Sequence, residues 1–226
     1  MKILAVGDSH AEVFKHIKGV NFLSIKAASA YGLMNPNSIT QARKTIIEKV
    51  SSQNWDWIFL HFGEVDCGFL IFQMSEKYNT TIEENIQKSV SRYFSFIDEI
   101  KHESNIMVLG INIPRSTGEA TNLVAKRAKW MKYDYFTRKS INLTFNKVIQ
   151  NKCNEAGYLY ADINDLITDP ETGAIKDNLI CRKDQIHMVL AKAADIWMER
   201  MNQLGFNQVD TQWTYSQSNL SSIVPP

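Results

Sequence analysis

The sequence has few cysteines, and none of them lies in a pattern typical of a disulfide framework or a metal site. Cys67, Cys153 and Cys181 are odd in number and far apart in a chain of 226 residues. Structural zinc sites and disulfide-rich folds need closely spaced or paired cysteines. We therefore expect reduced thiols, as in a cytoplasmic protein.

The sequence also lacks a large net charge and a long apolar run. It has 25 Lys and Arg against 24 Asp and Glu, so its formal charge is +1. This balance favours neither nucleic acid nor an acidic membrane as a partner. No stretch reaches the roughly 18 uninterrupted apolar residues of a membrane span. The apolar start that ends at Val6 is too short for a secretion signal.

The chain is long enough for one hydrophobic core and too short to require two domains. Residues 1–205 carry the pattern of a single domain, whereas the chain turns polar from Asn207 and ends in two prolines. We assign residues 206–226 to a polar C-terminal tail. We expect this tail either to pack loosely or to dock on a neighbouring copy, which would produce a homo-oligomer.

Short apolar runs that suit strands alternate with longer helical patterns. The five runs are Ile3 to Val6, Phe22 to Ile25, Trp57 to Phe62, Ile106 to Ile111 and Tyr158 to Ile163. Nearly continuous apolar strands suit a parallel sheet covered on both faces, and strand–helix alternation implies right-handed crossovers. The sequence therefore predicts an α/β protein, a three-layer α/β/α sandwich around a parallel five-stranded sheet.

Several helix boundaries follow from capping residues and apolar spacing. Sequences typical of capping boxes begin at Ser38 and at Thr81. After the second box, apolar residues recur every three or four positions, which predicts a long amphipathic helix. A helical stretch from about Asn122 to Glu155 should end at Gly157. The last helix should begin just after His187.

Active sites in such sheets lie outside the carboxyl ends of the strands, and three polar segments fall there. The first is Gly7-Asp8-Ser9-His10, which follows the first strand. A serine hydroxyl in this position would lie near helix amides that can stabilise an oxyanion. A serine or aspartate after a strand is also a good helix N-cap, so this segment alone leaves both roles open.

The second segment is Asp184-Gln185-Ile186-His187, just ahead of the last helix. A serine hydroxyl is a poor nucleophile near neutral pH and needs a base beside it. Histidine suits this task because its pKa is near the operating pH, and an aspartate can orient its ring. Such a pair also occurs in ordinary surface or capping contacts, but its position near the end of an α/β chain favours catalysis.

The third segment is His61-Phe62-Gly63-Glu64-Val65-Asp66, at the end of the third strand. Gly63 either allows close approach of the backbone to a substrate and offers an amide donor, or simply ends the strand before a polar turn. Asn112 and Arg115 follow the fourth strand at the same predicted edge. Arg115 either holds an anionic group or is a solvated loop residue.

Together these segments resemble the SGNH, or GDSL-like, hydrolase family over residues 1–205. The matching blocks are Gly-Asp-Ser near the start, a glycine after strand two, Gly-x-x-Asp after strand three and Asp-x-x-His near the end. Each block is short, and their joint order carries the resemblance. It implies a flavodoxin-like fold and a serine-dependent ester hydrolysis that needs no metal or organic cofactor.

The resemblance also implies a role for each matching residue. Ser9 resembles the nucleophile, His187 the base and Asp184 the acid. The amides of Ser9 and Gly32 resemble two oxyanion donors. The other residues of the first and third blocks that we expect at the oxyanion or substrate-binding site are Asp8, Gly63, Glu64 and Asp66.

The third block departs from the family pattern, which usually reads Gly-x-Asn-Asp. The asparagine side chain is the third oxyanion donor of the family, whereas Val65 at this position cannot donate a hydrogen bond. Loss of one such donor typically costs roughly 2.7–4 kcal/mol of transition-state stabilisation. Glu64, His61 and the backbone of Cys67 are candidate substitutes. The second block also lacks the asparagine–glycine opening of the family.

The sequence therefore predicts an esterase that removes a small acyl group, such as acetyl, from a carbohydrate. Gly-Glu-Val-Asp-Cys at residues 63–67 resembles a subgroup of the family found beside bacterial polysaccharide-synthesis enzymes, which suggests an acylated sugar as substrate. Two alternatives stay open. One is a carbohydrate O-acyltransferase with the same triad, and the other is a catalytically impaired carbohydrate-binding protein of the same fold.

Overall fold

The computed structural model describes residues 1–101, 104–114, 133–181, 187–206 and 210–211. A parallel sheet lies at its centre, with the strand order β3-β1-β4-β5-β6. Its strands are β1 (Ile3–Gly7), β3 (Val20–Ser24), β4 (Trp57–His61), β5 (Asn105–Leu109) and β6 (Leu159–Ala161). The predicted parallel five-stranded sheet is therefore confirmed, and its order is that of flavodoxin-like folds.

Two further strands and several short helical turns complete the described chain. The strand β2 (Ile17–Lys18) pairs antiparallel with β7 (Asp210–Thr211) outside the central sheet. The 3-10 turns are Ser9–His16, Tyr31–Met34 and Asp177–Leu179, and a π turn covers Asp66–Leu70. The α-helices are α1 (Ala42–Val50), α2 (Ile71–Tyr78), α3 (Ile82–Ile100), α4 (Tyr135–Ala156), α5 (Asn164–Ile167) and α6 (Leu190–Gln203).

The helices cover both faces of the sheet, because alternate strand residues point to opposite sides. Leu4 and Val6 of β1 belong to a core that includes buried residues of α1, α3 and α4. Ile3 and Ala5 belong to a second core, which is completed by the 3-10 turn after β1 and by α6. The three-layer arrangement predicted from the strand–helix alternation is confirmed.

The capping box predicted at Thr81 is present. Thr81 Oγ1 accepts a hydrogen bond from the Glu84 amide at 3.1 Å, and Glu84 Oε2 accepts one from the Thr81 amide at 2.7 Å. The helix that follows buries Ile86, Val90 and Ile97, as the apolar spacing predicted. Local side-chain chemistry therefore determines where α3 begins.

The capping box predicted at Ser38 is wrong. Gln41 adopts a left-handed conformation with φ of 50°, and α1 begins at Ala42 without a side-chain cap. The Ser38 hydroxyl instead pairs with the Thr40 hydroxyl at 3.0 Å, within a turn. Serine and threonine hydroxyls bond locally in turns as readily as at helix ends, so the short motif did not determine the helix start.

The two C-terminal helices follow the predicted boundaries where the structure describes them. Asp134 caps α4 by accepting a hydrogen bond from the Thr137 amide at 2.9 Å. Gly157, with φ of 71°, ends this helix as predicted. The predicted portion 122–132 lies outside the described residues. The helix α6 begins three residues after His187, and Trp197 and Met201 are buried.

Phe206, just after α6, packs against the central sheet. Phe206 is buried, and its ring centroid lies 5.3 Å from that of Phe59 in β4. Residues 207–209 and 212–226 of the predicted tail lie outside the described residues. In the ranges that the structure does describe, no helix is both long and apolar enough to cross a membrane.

Candidate active site

Ser9 lies at the junction between β1 and the 3-10 turn that follows it. The cap of this turn is Asp8, whose carboxylate accepts a hydrogen bond from the His10 amide at 2.9 Å. Since Asp8 provides the cap, the Ser9 hydroxyl is available for another partner. The register of β1 with β4 pairs Gly7 with His61. Ser9 therefore lies at the carboxyl edge of the sheet, where the strand pattern predicted an active site.

The Ser9 hydroxyl contacts the His187 ring. Ser9 Oγ and His187 Nε2 are 2.9 Å apart, a hydrogen-bond distance between residues separated by 178 positions. The backbone of His187 is fixed just before α6, because its carbonyl accepts a hydrogen bond from the Cys181 amide at 2.9 Å. An imidazole in this position can accept a proton from the serine hydroxyl.

The predicted third member of the triad is outside the structural description. Asp184 falls in residues 182–186, which the structure does not describe. Its role as the acid that orients His187 stays a prediction. Arg115, predicted at the same edge of the sheet, also lies outside the described residues.

A buried carboxylate and a second histidine support the Ser9–His187 pair. Asp8 is fully buried, and its Oδ1 lies 3.2 Å from His10 Nδ1. Burial alone would raise the pKa of Asp8, but the hydrogen bond and charge of His10, with a smaller effect of His61, hold it below its ordinary value. The His10 ring packs against the His187 ring with centroids 4.7 Å apart. Asp8 therefore holds His10 in place, and His10 in turn packs against His187.

Asp66 joins the second and third blocks. Its fully buried carboxylate accepts hydrogen bonds from the amides of Ala30 at 2.7 Å and Tyr31 at 3.0 Å. Burial raises the pKa of Asp66 to about 6, although these two amides and the Ser89 hydroxyl act in the opposite direction. Asp66 thus positions the loop that carries Gly32, which its place in the sequence did not reveal.

The amide of Gly32 is engaged within its own turn. It donates to the Ser29 carbonyl at 3.0 Å and contacts Ser29 Oγ at 3.0 Å. A Cβ at this position would lie 2.7 Å from Ser29 Oγ, so a residue with a side chain would require the Ser29 hydroxyl to move. The amide of Cys67, another candidate donor, bonds to the Gly63 carbonyl at 2.9 Å. Either amide can stabilise an oxyanion only if it leaves its local hydrogen bond or donates to both acceptors at once.

Gly63 is required by the packing of the core. Its φ of 132° is unfavourable for residues with a side chain, and an added Cβ would lie 2.4 Å from Phe145 Cε1 and 2.9 Å from Ile111 Cγ2. The neighbouring Glu64 accepts a hydrogen bond from the Asn112 amide at 2.8 Å. Burial raises the pKa of Glu64 above its ordinary value, against the effect of His10. Glu64 therefore connects the third block to the segment after β5.

Val65 does not itself provide the side-chain donor of the family pattern. It is partly buried at the start of the π turn that follows β4, and its side chain has no polar atom. Among the described residues, no group of three or more His, Cys, Asp or Glu side chains is arranged to hold a metal ion.

The chain is similar in structure, but not in sequence, to known esterases and lipases. No protein-family model matches the sequence, and no curated protein is significantly similar to it. The structural relatives include a GDSL-like lipase from Bacteroides thetaiotaomicron, with 13% identity, 90% of this chain and 86% of that chain covered, and a TM-score of 0.61. They also include an extracellular lipase from Streptomyces rimosus, with 14% identity, 90% and 99% covered, and a TM-score of 0.54.

A third relative is a catalytic mutant of an acetylxylan esterase from Geobacillus stearothermophilus, with 12% identity, 88% of this chain and 93% of that chain covered, and a TM-score of 0.56. At such low identities the similarity establishes the fold. The chain has the α/β fold of the SGNH and GDSL hydrolases, with the sheet order and layers described above.

Proposed function

We propose that the protein is a carboxylic ester hydrolase in which Ser9 is the nucleophile and His187 the general base. The observation that carries this proposal is the 2.9 Å contact between Ser9 Oγ and His187 Nε2. Their segments are far apart in the sequence and meet at the carboxyl edge of a parallel sheet, where ligands bind in such folds. A serine hydroxyl hydrogen-bonded to an imidazole is the arrangement that activates serine.

The proposed reaction has two halves. Ser9 Oγ attacks the ester carbonyl carbon while His187 Nε2 takes the hydroxyl proton. The protonated His187 then gives this proton to the leaving alcohol oxygen, and an acyl-serine is formed. In the second half, a water oxygen attacks the acyl carbon while His187 accepts a water proton. The proton returns to Ser9 Oγ as the carboxylic acid leaves, and Asp184 is predicted to orient His187 throughout.

The structure supports the nucleophile more strongly than the oxyanion site, so we expect slow turnover. The Ser9 amide is the first predicted donor, and the Gly32 amide is bonded to Ser29. Val65 provides no third donor. One missing donor typically costs about 10²- to 10³-fold in kcat. This observation also favours the alternative of an impaired carbohydrate-binding protein, in which Ser9 and His187 would be retained without turnover.

We further propose a small acyl group, such as acetyl, on a carbohydrate as the substrate. Two observations support this class. The pentapeptide at residues 63–67 resembles proteins found beside polysaccharide-synthesis enzymes, and one structural relative is an acetylxylan esterase. An O-acyltransferase would use the same acyl-serine but transfer the group to a sugar hydroxyl. Analysis of the products formed from an acyl donor with and without a sugar acceptor distinguishes transfer from hydrolysis.

The first experiment is hydrolysis of p-nitrophenyl acetate by the wild type and by Ser9→Ala and His187→Ala at matched concentration. The proposal predicts measurable turnover in the wild type and background rates in both variants, with circular dichroism unchanged. Ser91→Ala, an exposed serine on α3, is the matched control and should retain the wild-type rate. Equal rates in all four proteins would contradict the proposal.

A further inference from the structure

A small cavity lies against the His187 ring on the side that faces α6. Its polar lining residues are His10, His61, Asn112 and His187, and Trp197 closes one wall. The space is sufficient for about one water molecule. It is too small for a sugar or an acyl chain. The chemistry of the lining therefore restricts the occupant to a very small polar molecule.

Two side chains of this lining carry buried polar atoms whose hydrogen bonding is incomplete. His61 is 1% exposed and Asn112 is 6% exposed. The Oδ1 of Asn112 has no hydrogen-bond partner within the described part of the chain, and the His61 ring has no well-formed one, although the Gly110 backbone lies near enough to raise its pKa against the effect of burial. Buried polar atoms in proteins are almost always hydrogen-bonded, either to protein or to ordered water. Asn112 Oδ1 and at least one nitrogen of the His61 ring therefore require a partner that the described residues do not supply.

Both side chains are held in place by their backbones and neighbours. The Asn112 amide donates to Glu64 Oε1 at 2.8 Å, and its carbonyl accepts from Asn142 Nδ2 at 2.7 Å. The His61 carbonyl accepts a hydrogen bond from the Asp8 amide at 3.2 Å. The His61 ring packs edge-on against Trp197 with centroids 5.8 Å apart. The contact with Trp197 restricts the His61 ring, and the two backbone hydrogen bonds fix the main chain from which the Asn112 side chain reaches the cavity.

We propose that one internal water molecule binds in this cavity between His61 and Asn112, which thereby act as positioning residues for His187. A neutral imidazole donates from one nitrogen and accepts at the other, and burial keeps His61 neutral by lowering its pKa to about 4. The water therefore accepts from or donates to the His61 ring and donates to Asn112 Oδ1. The water site stands on the geometry alone, whereas its effect on catalysis rests on the proposed function.

The His10 ring connects this water site to the catalytic base. Its centroid lies 6.4 Å from that of His61 and 4.7 Å from that of His187. A water molecule held between His61 and Asn112 occupies the space beside the His10 and His187 rings, so neither ring can move into the cavity. The water thus keeps His187 Nε2 at hydrogen-bond distance from Ser9. Small displacements of a catalytic group can lower kcat by about 10²-fold.

A high-resolution crystal structure of the wild-type protein tests the water site directly. We expect density for one water oxygen within about 2.7–3.2 Å of a His61 ring nitrogen and of Asn112 Oδ1. A structure in which these two side chains bond directly to protein groups, or in which the cavity holds no density, would overturn the proposal.

Kinetics with p-nitrophenyl acetate tests the positioning role. His61→Phe and Asn112→Leu keep the volume but remove the water's partners, so kcat should fall by about tenfold or more while KM is unchanged. His61→Gln, which retains polar atoms, should recover most of the lost kcat. The double variant should lose no more than either single variant, since both act through one water. Phe59→Leu, on the same face of β4, is the control for altered packing.

The same assays separate this proposal from the proposed function. If Ser9→Ala is inactive and His61→Phe keeps the wild-type kcat in a folded protein, the positioning role is overturned and the esterase assignment stands. If Ser9→Ala keeps full activity, the esterase assignment fails. The proposed water site is then tested only by the presence or absence of the water in the crystal structure. Additive losses in the double variant also contradict a shared water.

Discussion

The two sides of the candidate site differ in how completely they are assembled. On the nucleophile side, Ser9 and His187 are within 2.9 Å although they come from opposite ends of the chain. On the oxyanion side, the Gly32 amide is bonded within its own turn and Val65 offers no donor. Under the proposed function, the described residues therefore place the nucleophile beside its base but provide fewer hydrogen-bond donors than the family pattern for the charged intermediate. A fold can retain the nucleophile and base while its charge stabilisation changes.

The largest expected effect concerns the nucleophile side. Ser9→Ala and His187→Ala should each lower kcat/KM for p-nitrophenyl acetate by about 10³-fold or more, because either change removes the activated hydroxyl. The double variant should be no slower than the single ones, since the two residues act as a unit. Steady-state kinetics on purified proteins measures both. If either single variant kept more than one tenth of the wild-type kcat/KM, Ser9 and His187 would not be the nucleophile and its base.

The next effect concerns the oxyanion side. Val65→Asn restores the side-chain donor of the family pattern and should raise kcat by roughly tenfold to 10²-fold, since one donor is typically worth 10²- to 10³-fold. Val65→Leu, which adds volume without a donor, is the matched control and should not raise kcat. An unchanged or lower kcat in a folded Val65→Asn protein would show that another group already supplies this charge stabilisation.

A smaller effect should appear in stability against pH. The pKa of His61 is lowered to about 4 by burial, so between about pH 4 and 6.5 the unfolded chain binds the extra proton. The unfolding free energy therefore rises with pH across this window, at no more than about 1.4 kcal/mol per pH unit. Urea unfolding of the wild type and of His61→Gln isolates this contribution, which the variant should lack. Parallel curves for the two proteins would contradict it.

The smallest effect is expected at Asp66. Asp66→Asn leaves one oxygen to serve the two amides of Ala30 and Tyr31, so the unfolding free energy should fall by about 1–2 kcal/mol. Because the pKa of Asp66 is raised to about 6, the loss should be smaller at pH 7 than at pH 4.5. Above pH 6 the wild type must also keep a buried charge. Asp195→Asn, an exposed acid on α6, should change stability by less than about 0.5 kcal/mol at either pH. Urea midpoints at both pH values measure the difference.

The sequence predicted the sheet and the meeting of Ser9 with His187 because both follow from order along the chain. Apolar runs determine which segments become buried strands, and the carboxyl ends of parallel strands share one edge. The blocks after β1 and before α6 were therefore expected to converge. The capping box at Thr81 was predictable for a similar reason, since its partners lie three residues apart.

Other features depend on contacts between distant segments and could not be read from local patterns. Asp66 bonds to Ala30 and Tyr31 across 36 and 35 positions, which no spacing rule reveals. The burial of His61 beside Asn112 depends on how α6 packs over the ends of β4 and β5. The residues from Ser38 to Gln41 suit either a turn or a helix cap. In the structure they form a turn, in which Gln41 is left-handed and after which α1 begins at Ala42.

The most direct test of the proposed function is to find which residue carries the acetyl group after brief incubation with p-nitrophenyl acetate and acid quenching. Mass spectrometry of peptides should find an added acetyl group on Ser9 in the wild type and none in His187→Ala. This result would establish the covalent intermediate on which the proposed function depends. Acetylation at another residue, or equal labelling of Ser9 in both proteins, would contradict the assignment of Ser9 and His187 as nucleophile and base.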